Sequence, residues 1–86
     1  MLPAYAFNTV SYEYRSFSHI LTTEDELCYL AYGVEVYRHD IYGYQKVDCI
    51  HGLTTRYDKI IHLLDLLNRT QVAPCHFRDV VEDFLS

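Results

Sequence analysis

The stretch from Leu27 to Arg38 constrains this chain more than any other, because both of its alternating faces are apolar. Cys28, Leu30, Tyr32, Val34 and Val36 fall on one side of an extended strand. Leu27, Tyr29, Ala31 and Tyr37 fall on the other, interrupted by Gly33 and Glu35. A strand that is apolar on both faces is covered on both faces. Residues 27–38 are therefore expected at the centre of a sheet, with something packed above and below.

The neighbouring segments supply its partners. From Thr9 to Arg15 the residues alternate, with Val10, Tyr12 and Tyr14 pointing one way and Thr9, Ser11, Glu13 and Arg15 the other. This predicts a first strand over about 9–17, with Phe17 breaking the parity as a bulge or as the strand's end. Thr22 to Glu26 is polar and reads as a connection. His39 to Gly43 reads as a five-residue hairpin loop, and a third strand follows over about 44–50, with Val47 and Cys49 on one side. Short connections make sequential strands neighbours, which gives a three-stranded antiparallel meander.

The period changes after Gly52. Tyr57, Ile60, Ile61, Leu64 and Leu67 share one helical face, widened by Leu63 and Leu66, and predict a helix over about 55–68. Thr55 and Asp58 have the spacing of a capping box, and Asn68 is placed as a C-terminal stop. A second helix over 74–85 opens on Pro74 and carries Phe77, Val80, Val81, Phe84 and Leu85 in one stripe. Burying five such side chains contributes at most roughly 7–15 kcal/mol. Ordering about a dozen residues costs roughly 12–24 kcal/mol, so this helix must dock to form. The expected fold is a single α+β domain, β-β-β-α-α, with both helices on one face of the sheet.

Charge and composition exclude several functions. Twelve acidic residues against seven basic give a formal net charge of −5, and the basic residues are scattered singly. Nucleic-acid binding draws on clustered Lys and Arg, so no nucleic-acid partner is expected. No apolar run approaches the ~20 residues of a bilayer-spanning helix, and no signal-peptide pattern opens the chain, so neither membrane nor secretion is expected. Gly33, Gly43 and Gly52 never cluster into a phosphate-cradling loop. Cys28, Cys49 and Cys75 are odd in number and lack a framework spacing, which suits a reducing cytoplasm.

Four groups of residues carry candidate chemistry. Cys49 and His51 share a strand face, and Cys75 and His76 open the last helix; brought together, they would make a tetrahedral zinc site. Their spacing lacks a Cys-x-x-Cys clasp, and buried free cysteines commonly serve as small hydrophobes. Cys75 by itself, in a first helical turn beside His76, has the setting of an activated thiol. Asp58 and His62 are spaced i,i+4 as an acid–base pair, a spacing that also merely stabilises exposed helices. Asp79, Glu82 and Asp83 read as the solvated side of the last helix or as a site for a cation or a basic partner. None of these makes a catalytic constellation, and no cofactor is expected.

Tyr32-Gly33-Val34-Glu35-Val36, a polar hairpin, an amphipathic helix and the ending Pro74-Cys75-His76-Phe77-Arg78-Asp79-Val80-Val81-Glu82-Asp83-Phe84-Leu85 together resemble a known group. These are short proteins of Gram-positive anaerobic bacteria that carry a domain of unknown function. The resemblance covers about residues 27–86 and leaves the first twenty or so unmatched. It implies a bacterial cytoplasmic protein and transfers no activity.

Two helices cover one face of the sheet, which leaves Leu27, Tyr29, Ala31 and Tyr37 on the other. Eight of the nine tyrosines lie in the strand half, and tyrosine is enriched at protein interfaces. The expected function is a non-enzymatic interaction module, either a homodimer or an adaptor for another protein, with those four residues as its interface. Tyrosines on a solvated face that turn only their hydroxyls to water are the competing explanation. A metal- or thiol-dependent protein using Cys49, His51, Cys75 and His76 is the alternative function.

Overall fold

Period two in the first half of the chain and period 3.6 in the second are realised as three strands and two helices in a computed structural model, which describes residues 10–86. They are β1 (Ser11–Thr22), β2 (Cys28–Asp40), β3 (Gly43–Thr54), α1 (Tyr57–Thr70) and α2 (Pro74–Leu85). The sheet is antiparallel in the order β1-β2-β3, so the central position of β2 and the α+β class are as expected. Thr9 and the residues before it lie outside the described residues.

Phe17 is neither a bulge nor an end. β1 runs through it in unbroken register, Phe17 opposite Gly33, and continues to Thr22 opposite Cys28. The parity changes because the covered face changes. Tyr14 points to the core beneath the helices, whereas Phe17 and His19 turn their rings to the opposite face. The β2–β3 connection is also shorter than expected. Asp40 pairs with Gly43, leaving Ile41 and Tyr42 as a two-residue turn; the Asp40 carboxylate accepts the Tyr42 N–H at 2.8 Å and Gly43 takes φ +119°. β3 passes Ile50 by way of register shifts, one around Val47 and one between Ile50 and Thr54, where Gly52 sits at φ +61°.

Helix α1 starts later than its sequence signals. Its N-cap is Arg56, with no side-chain cap, so Thr55 and Asp58 do not form the box; Arg56 instead clasps Asp58 at 3.0 and 3.2 Å. Asn68 does not stop the helix. The chain turns at Gln71, in the left-handed region at φ 51°, whose N–H bonds the Leu67 carbonyl. α2 spans 74–85 as predicted, with Pro74 in its first turn. Both helices pack on one face of the sheet, where Ile60, Leu63, Leu67, Phe77 and Val81 meet Tyr14, Val34 and Val36. Phe77 sits edge-on to Tyr14, ring centroids 5.2 Å apart, and the Tyr14 hydroxyl donates to the Val72 carbonyl.

The end of α1 also closes part of the sheet's edge. Asn68 Oδ1 accepts the Tyr14 N–H at 2.8 Å while its Nδ2 donates to the Tyr14 carbonyl at 3.0 Å. Gln71 treats Tyr12 in the same way, at 3.0 and 2.9 Å. The two side-chain amides stand where an adjoining strand would stand, capping the outer edge of β1 at these residues. Among the described residues no helix is long and apolar enough to cross a membrane.

Candidate functional site

The helix-free face of the sheet is largely covered by its own side chains. His19, opposite Ala31 on β2, reaches across the sheet so that its Nε2 accepts the Gly52 N–H of β3 at 2.9 Å. A ring spanning from β1 to β3 passes over the small Ala31, which is accordingly 1% exposed. Phe17 crosses at Gly33 in the same manner: a Cβ on Gly33 would lie 2.6 Å from Phe17 Cζ and impossibly close to the Ile50 carbonyl oxygen. Both rings end against His51, with centroids 5.0 Å (Phe17) and 5.4 Å (His19) away. Cys49 Sγ lies 3.8 Å from His51 Nδ1 beside them.

Nearer the β2–β3 turn the same face is a charged and aromatic lattice. The Arg15 guanidinium lies 4.6 Å above the Tyr37 ring, which packs on Tyr44 at 5.8 Å. Tyr37 donates to Glu35 at 3.1 Å, and Glu35 accepts from Lys46 at 3.3 Å, which raises the Lys46 pKa. Glu13 binds Arg15 and, at 2.8 Å, His39; the Arg15 hydrogen bond is the main reason its carboxyl sits below the usual range.

The four expected interface residues thus part company. Ala31 is buried within the chain and offers a partner no surface. Tyr37 is half-buried and engaged by Arg15, Tyr44 and Glu35. Tyr29, 43% exposed, and Leu27, 64% exposed, are free to meet a partner.

The proposed zinc ligands do not converge. Cys49 and His51 belong to the helix-free face, while Cys75 and His76 are exposed on α2, which packs against the other face. Among the described residues no group of three or more His, Cys, Asp or Glu is placed to hold a metal. Cys49 and His51 do share one face of β3, but α2 docks on the other side of the sheet. Asp58 is taken up by Arg56 rather than by His62, and that contact lowers its pKa. Asp79, Glu82 and Asp83 are exposed along α2.

One surface escaped the sequence reading. β2 has 13 residues and is roughly 43 Å long, whereas α1, with 14, is about 21 Å long. The start of α1 lies beside Tyr32, with Tyr57 at 5.7 Å, and its end beside Tyr14 and Tyr12. Beyond the level of Tyr32 the sheet outruns its helices. There Ile20 pairs with Leu30, 61% and 45% exposed, and the adjoining Tyr57 and Ile61 are exposed too. Element lengths alone would have pointed here, since a helix covers less than half the length of a strand with the same number of residues.

A model described as a family of unknown function, DUF6514, matches residues 4–86. The match includes β1, which the earlier resemblance left out. No curated protein and no solved structure matches.

Proposed function

We propose a function on the premise that the chain belongs to the DUF6514 family of unknown function: it is a non-catalytic protein–protein interaction module that docks through the far end of the β1–β2 hairpin. The observation that supports this is the run of exposed apolar side chains, Ile20, Leu30, Tyr57 and Ile61, lying where the helices fall short of the sheet. Leu27 and Tyr29 extend it around the end of the hairpin. Single exposed apolar residues need no explanation, but a contiguous group on so small a domain marks a contact surface. The three free thiols, Cys28, Cys49 and Cys75, favour a reducing compartment such as the cytoplasm.

The test replaces Ile20 and Leu30 together by lysine. Both side chains are exposed, so the variant keeps the wild-type melting temperature to within a few degrees. Captured on beads, wild type is expected to retain specific proteins, other copies of itself included, that the variant does not. An identical set on both would contradict the reading.

A further inference from the structure

We infer that the hairpin end docks a second copy of the same chain, edge to edge through β1, so that two three-stranded sheets join into one of six strands; this rests on the interaction-module reading and specifies its partner. Tyr12 and Tyr14 exchange hydrogen bonds with Gln71 and Asn68, so their N–H and C=O groups face the outer edge of β1. Strand geometry alternates and the register with β2 is unbroken. Ser16, Ser18, Ile20 and Thr22 therefore face outward as well, beyond the reach of the two capping amides. The other edge, β3, is broken by its register shifts and is poorly suited to pairing.

Three features select a second copy as the occupant. The open edge is self-complementary: run antiparallel about His19, it places Ser18 opposite Ile20 and Ser16 opposite Thr22 of the other copy. All four residues then exchange their N–H···O=C bonds, and the amides at Tyr12 and Tyr14 stop the pairing from running on. The segment Ser16 to Thr23 carries no Asp, Glu, Lys or Arg, in a chain whose net charge is −5. Two acidic molecules can approach there without juxtaposing like charges. The same register sets the two Ile20 side chains diagonally across the two-fold axis, within contact distance, and so covers the most exposed apolar residue of β1.

Amide hydrogen exchange on wild type, followed with sedimentation as concentration is raised, tests this. Among the described residues the Ser18 and Ile20 amides have no partner, so their exchange is expected to slow as a dimer appears. Ser18→Pro removes an outward N–H without touching the ladder to β2 and is expected to give a folded monomer. A dimer whose Ser18 and Ile20 amides exchange freely would overturn edge pairing and leave the interaction module standing. A wild-type monomer at every concentration would overturn the second copy, and the capture experiment with the lysine variant then decides the module separately.

Discussion

Asn68 holds Tyr14 by both of its backbone groups, accepting the N–H at 2.8 Å and donating to the carbonyl at 3.0 Å, across 54 positions of sequence. One side chain thus replaces a missing strand for one residue, and it fixes the end of α1 against the sheet edge as it does so.

Asn68→Ala leaves two part-buried backbone groups of Tyr14 unpaired and is expected to cost about 1–3 kcal/mol in urea unfolding. Asn68→Asp keeps the acceptor for the N–H but loses the donor to the carbonyl, so it should fall between the two. A wild-type stability for Asn68→Ala would show that water replaces the amide without loss.

Gly33→Ala is expected to destabilise the fold by about 1–3 kcal/mol or more, because its Cβ meets both the Phe17 ring and the Ile50 carbonyl. Trimming Phe17 to alanine in the same chain removes only the ring. The double variant should therefore not regain wild-type stability, since the Ile50 oxygen belongs to the backbone. Full recovery in thermal melts would make Phe17 the sole constraint.

These two sites show where sequence reading succeeds and where it stops. Element order and sheet order were legible because period two, period 3.6 and short connections are local properties. Phe17 was misread because its change of parity has a tertiary cause: Tyr14 is covered by Phe77, whereas Phe17 crosses Gly33 on the other face. Asn68 looked like a helix stop, and nothing nearby in sequence pointed to Tyr14. Of the expected interface, Leu27 and Tyr29 stay exposed, but the burial of Ala31 depends on a histidine twelve positions away reaching for Gly52.

Tyr14 should titrate well above the ordinary tyrosine range. Burial, reinforced by the nearby Tyr12 and Asp48, pushes its pKa from 10.0 up to about 12. The unfolded chain ionises near the ordinary value while the fold keeps the proton. The stabilisation from the neutral phenol is thus fully present below pH 10 and lost as pH rises through about 12. Compared in urea at graded pH, the advantage of wild type over Tyr14→Phe should shrink across that window. A constant difference would mean that Tyr14 ionises as freely in the fold as out of it.

If the end of the β1–β2 hairpin is the docking surface, it is covered when the protein is at work. Cys28 opens β2 at that end, opposite Thr22, and Cys75 lies exposed on α2, so each chain carries its own probe and its own control. Thiol labelling of the untagged protein in its native cells, read by mass spectrometry, is expected to show Cys28 protected and Cys75 reactive, with the protection lost on dilution of the purified chain. Equal labelling of the two thiols in cells would contradict docking there.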